Sequence, residues 1–149
     1  TVYLKKPMSS SELGQSIRSA EAFLNRMEAY ALSGEEGLAL TELNAFRKTR
    51  VIGYTDVNLS GQALLDEIRL ERRKELCFEG HRWFDLRRQG MPEIKHTYKA
   101  EKGGAVYEYV LQQGDPMYTL PFPNSVVLQN RALVQNPSRE MGARQGEIQ

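Results

Sequence analysis

Only one cysteine, two histidines and one tryptophan occur among these 149 residues, and each shortage closes a class of mechanism. A single cysteine excludes an internal disulfide framework, and Cys77, set inside a charged helical stretch, reads as a small buried hydrophobe rather than a nucleophile or ligand. His81 and His96 stand in no ligand-spacing motif, so neither a metal nor a cofactor is expected. No apolar run approaches the roughly twenty residues that a membrane span requires. Charge is also nearly absent as a net quantity: 20 Lys and Arg oppose 19 Asp and Glu, leaving +1. That balance gives no bulk attraction to nucleic acid, so none is expected as a partner. What remains is ordinary globular material, 40% hydrophobic and 26% charged, long enough for one sizeable core.

The charge that is present has a pattern. Glu67, Glu71, Glu75 and Glu79 recur every fourth residue, and at helical spacing they stack into one acidic stripe that repels itself. Arginines are interleaved with it at 69, 72, 73, 82, 87 and 88, together with Ile68, Leu76, Phe78, Trp83, Phe84 and Leu86. The spacing predicts a structural ion-pair network built on Glu71, Glu75, Glu79, Arg72 and Arg82, joined by arginines of the preceding helices (Arg18, Arg26 or Arg47) and braced by Asp85. Paired carboxylates can also do acid–base chemistry, but a catalytic pair comes from separated segments, so no catalytic residue is assigned. Trp83 and Phe84 read as core because Phe84 and Leu86 adjoin them, although a tryptophan between Arg82 and Asp85 could stack on a sugar.

The first half is helical in period. Ile17, Ala20, Leu24, Met27 and Ala31, widened by Phe23 and Tyr30, predict an amphipathic helix over Ser16–Leu32. Ser33-Gly34 ends it, Gly34 taking a left-handed conformation, and a second helix runs to about Arg50 with Leu40, Leu43 and Phe46 inside. Phe23, Tyr30, Ala39 and Leu43 have the spacing of a tetratricopeptide helix pair, in which small and aromatic positions interlock. Ser60 then caps a long helix reaching Phe78 or beyond, which Gly80 bends or divides. Gly90 and Pro92 stop the pattern, and the basic stretch Met91–Gly104 reads as a loop with Tyr98 exposed. The last third changes period: Val106–Leu111 alternates, and with Tyr118-Thr119-Leu120 across Gly114-Asp115-Pro116 it predicts a small β-hairpin. Pro121-Phe122-Pro123 suits an extended crossing that asks for no ladder hydrogen bonds, and residues 138–149 read as a loose tail. The expected fold is mainly α, with tetratricopeptide-like helix pairs, a small β-hairpin and an irregular carboxy-terminal segment, in one unit over 1–149.

The stretch Ile68–Gly90, IRLERRKELCFEGHRWFDLRRQG, resembles the signature of the SusD/RagB family. Two further matches flank it in order: Ile17-Arg18-Ser19-Ala20-Glu21 with Leu24, Glu28, Ala29, Ala39, Leu43, Asn44 and Arg47 upstream, and Leu120-Pro121-Phe122-Pro123 with Asn130, Leu133 and Gln135-Asn136-Pro137 downstream. The likeness covers about Ser16 to Pro137. It departs where Ser138-Arg139 follows the Gln-Asn-Pro and where Arg47 is followed by Lys48, Thr49 and Arg50.

The resemblance implies a surface-exposed outer-membrane lipoprotein that captures oligosaccharide or another nutrient and sits over a TonB-dependent transporter. It further implies that this chain is the carboxy-terminal portion of a longer protein, that its membrane contact runs only through a lipid anchor outside the chain, and that most ligand loops precede it. Tyr54, Tyr98 and Tyr107 are the aromatic candidates within it. Two other classes stay open: a helical-repeat scaffold binding a protein partner without a ligand of its own, and a carboxylate-based glycoside hydrolase. Glycan binding separates the first reading from the scaffold, and turnover separates the hydrolase from both.

Overall fold

The computed structural model describes residues 18–140 and 146–148, and their contacts gather into two compact units, Thr1–Arg82 and Trp83–Gln149. The chain is mainly helical with one small antiparallel sheet. No helix among the described residues is long and apolar enough to cross a membrane.

The first unit is three packed helices: α1 (Ser19–Leu32), α2 (Glu36–Lys48) and α3 (Gly61–Glu75). The predicted start of α1 at Ser16 and Ile17 lies outside the described residues. Gly34 sits at φ +86°, and the Glu35 N–H donates to the Tyr30 carbonyl at 2.9 Å. This six-residue closure is a Schellman turn, and it reverses the chain between α1 and α2. Ala20, Leu24, Met27, Ala39, Leu43, Phe46, Leu64, Ile68 and Leu76 form the core, with Tyr30, Ala31, Leu40, Val57 and Leu59 packed against it. Ala39 is the small residue where the expected interlock needs one, and it is fully buried. Phe23 does not join: it is 46% exposed, its ring under the Arg26 guanidinium at 5.1 Å.

The third helix is shorter than its pattern predicts. Its regular run ends at Glu75, and residues 76–80 are turns in which both Phe78 (φ +65°) and Gly80 (φ +81°) are left-handed. The break therefore comes before the glycine. It leaves Phe78 88% exposed and Cys77 exposed too, which corrects the expectation that Cys77 is buried. Ser60 holds the cap position in extended conformation (φ −146°), yet its side chain makes no capping bond.

All but the first two residues of α4 (His81–Arg88) belong to the second unit, where the helix buries Asp85 and Leu86 and Trp83 stacks on the Tyr118 ring with centroids 4.9 Å apart. Phe84 is 66% exposed, against expectation. A helix this short covers one face only, and Trp83 and Leu86, three residues apart, share it. The predicted loop at Met91–Gly104 contains a strand, β1 (Ile94–Lys99), paired antiparallel with β2 (Val106–Leu111). The hairpin is thus formed with the segment before β2, not after it. Pro116, expected in the turn, and Tyr118, expected to open the returning strand, lie instead in one 3-10 turn, Pro116–Tyr118, capped by Asp115, which accepts from the Met117 N–H at 2.9 Å. A two-residue strand, β3 (Glu147–Ile148), adds to the other edge of β2 where a loose tail is expected, giving the order β1-β2-β3.

The Pro121-Phe122-Pro123 crossing is held by side chains in place of a ladder. Gln135 Oε1 accepts from the Phe122 N–H at 2.8 Å while its amide donates to the Phe122 carbonyl at 3.0 Å. Asn136 donates to the Leu120 carbonyl at 2.8 Å, and Ser138 to that of Thr119. Flanking prolines leave Phe122 able to use both of its backbone groups, and one glutamine satisfies both.

Candidate functional site

Two groups of residues carry functional weight in the sequence, the charged run and the tyrosines, and the structure treats them differently. Along α3 the acidic stripe is met by arginines from the start of α1 and the end of α2. Arg47, whose side chain is 8% exposed, donates through Nε to Glu71 Oε2 at 2.8 Å and through Nη2 to Glu67. Burial alone would lower the pKa of this guanidinium, but Glu67, Tyr54 and Glu71 together hold it above the ordinary arginine value. Arg18 bridges Glu75, at 2.6 Å, and Glu79, and Arg50 donates to Glu75 from the other side at 3.1 and 3.2 Å. Arg72 reaches Asn25 at 2.8 Å and lies 3.6 Å from Glu21.

One expected participant stands elsewhere. Arg26 forms an exposed pair with Glu42, which raises its pKa through the hydrogen bond. Arg82 lies on the exposed start of α4. Asp85 is buried in the second unit and accepts from Arg88 of its own helix at 3.0 Å. Two residues escape the sequence reading. Glu28 is 3% exposed and accepts from Arg69 at 3.0 Å, and its position in the apolar stripe, four residues after Leu24, was the available signal. Arg50, three residues after Arg47, was the other.

This lattice has the chemistry of a brace. Each stripe carboxylate accepts from at least one guanidinium, and every buried side-chain nitrogen or oxygen among the described residues has a hydrogen-bond partner. Among the described residues no three His, Cys, Asp or Glu side chains gather as a metal site.

Of the tyrosine candidates, Tyr54 is absorbed by the fold. Its hydroxyl donates to Asn44 Oδ1 at 2.8 Å, and Asn44 also accepts from the Val57 N–H and donates to the Val57 carbonyl, both at 3.0 Å. Tyr98 and Tyr107 are brought together, directly opposite one another on β1 and β2. Tyr98 is 56% exposed. Tyr109, two residues along β2 and so on the same face, was not a candidate from sequence.

The three downstream residues that bind the Pro-Phe-Pro crossing, Gln135, Asn136 and Ser138, close the stretch over which a family match extends. Residues 6–138 match the SusD family. The chain belongs to that family. A crystal structure of a SusD-like protein from Bacteroides fragilis NCTC 9343 is similar to it, with a TM-score of 0.60 and 26% sequence identity over 81% of this chain. The chain spans about a quarter (25%) of that SusD-like protein's length. No curated protein matches.

Proposed function

We propose that this chain is the carboxy-terminal scaffold of a longer, lipid-anchored protein of the bacterial outer membrane that captures an oligosaccharide or similar nutrient and passes it to a TonB-dependent transporter. The observation that carries this reading is the SusD family match over residues 6–138. The arrangement of the first unit supports it, since helices locked by a core and by buried ion pairs give loops a fixed base, and pre-formed loops lose less entropy on binding. No catalytic step belongs to this reading. The carboxylates a hydrolase would need are bound to arginines.

Calorimetry of the full-length protein against gluco-, xylo- and manno-oligosaccharides, with affinity capture from outer membranes of its own organism, tests both halves. Binding of at least one sugar together with recovery of the transporter is expected. Absence of any sugar binding, with a protein partner still recovered, would favour the helical interaction scaffold instead.

A further inference from the structure

The small sheet sorts its side chains by charge. Strand alternation and the observed register place Ile94, His96 and Tyr98 of β1 with Tyr107, Tyr109 and Leu111 of β2 on one face. The opposite face carries Lys95, Thr97 and Lys99 with Val106, Glu108 and Val110. The first face thus holds three phenols and an exposed histidine, with Ile94, Leu111 and, beside Tyr107 on β3, Ile148 at its margins and no Lys, Arg, Asp or Glu among its paired residues. Tyr98 and Tyr109 are 56% and 36% exposed.

We propose that the Tyr98, Tyr107 and Tyr109 face is a stacking surface for an uncharged oligosaccharide. The inference rests on the capture reading above and adds a place within this chain. A phenol ring offers an apolar π face to the C–H side of a sugar and a hydroxyl at its rim for the sugar's own hydroxyls. Directly opposed side chains stand about 5 Å apart across strands and about 7 Å apart along one, so a run of sugar rings can lie over the three. An acidic glycan would need a cation here, and Lys95 and Lys99 stand on the other face.

The platform is also fixed in advance. A side chain at Gly146, just before β3, would come within 2.8 Å of the Tyr109 ring and 2.9 Å of Tyr107 Cβ, so the Tyr109 ring lies braced on backbone that only glycine leaves open. A ring held on one side keeps its orientation at little further entropic cost when a ligand meets it.

The test is calorimetry of the full-length protein with neutral gluco-, xylo- and manno-hexasaccharides, comparing Tyr98→Ala, Tyr98→Trp and Thr97→Ala with the wild type. Tyr98→Ala should weaken binding about tenfold. Tyr98→Trp should retain it, and Thr97→Ala, on the opposite face, should leave it unchanged. Tyr98→Trp keeps a ring at the same register and so serves if the alanine variant loosens β1: an alanine variant that binds every sugar as Thr97→Ala does, or a tryptophan variant that loses binding as fully as the alanine variant, overturns the platform while leaving sugar capture standing. A wild type that binds none of the sugars overturns both.

Discussion

Arg47 shows how a single charged residue becomes structural. It sits near the end of α2, where a cation is favoured by the helix dipole, yet its guanidinium turns inward to two carboxylates of α3. With Arg47 8% and Glu71 10% exposed at the side chain, neither charge has water to fall back on if its partner is removed. Glu71→Ala should therefore lower stability by about 3–5 kcal/mol in urea denaturation. Lys48→Ala removes an exposed pair with Asp56 and should cost under about 1 kcal/mol. Equal losses from the two variants would mean that burial does not set the value of these pairs. The acidic side of this lattice was legible because four-residue spacing is a local property. Its cationic side was legible only in part: Arg18 and Arg47 were named, but beside Arg26 and without Arg50, since Arg18 lies 57 residues from Glu75 and Arg50 lies 25 from it, and only tertiary packing selects among so many arginines.

At the scale of elements, legibility followed the presence of a buried face. The first three helices each bury a stripe at helical period, and their positions emerge from the sequence. In β1, IKHTYK, every residue but Ile94 is exposed, so the alternation that reveals a strand is missing and pairing with β2 alone defines it. Helix ends depend on backbone detail instead. Gly34 was legible as a stop because a left-handed residue there suits glycine, whereas Phe78 takes the same conformation without any such mark. Gly34→Ala should cost about 1 kcal/mol, read from the thermal unfolding of the first unit. The Pro-Phe-Pro crossing gives a sharper test. Gln135→Glu keeps the acceptor for the Phe122 N–H but removes the donor to the Phe122 carbonyl, whereas Gln135→Ala removes both. Amide exchange at Phe122 should accelerate strongly in the alanine variant and less in the glutamate variant. Unchanged exchange in both would show that the glutamine is not what holds this segment.

For the whole molecule the question is how much function a rigid piece can own. Function was legible only through the family resemblance, because composition and spacing supply no ligand constellation and the pairing of Tyr98 with Tyr107 needs the strand that the sequence hid. The scaffold reading assigns affinity mainly to loops of a longer protein, with this chain adding rigidity and one exposed aromatic face. Isolated from those loops, the 149-residue chain keeps its core and its ion pairs but lacks most contacts a sugar would meet. A stacked ring or two yields binding that calorimetry reads as weak, since association must first overcome at least about 4 kcal/mol of lost rigid-body freedom. The expected result is clear binding by the full-length protein and weak or undetectable binding by the chain alone, with every sugar recovered intact from both. Equal affinity in the two would place the whole site within Thr1–Gln149. Turnover lost on changing one carboxylate between Glu67 and Asp85 would instead show that an acid bound to arginine can still donate a proton, and would return the stripe to catalysis.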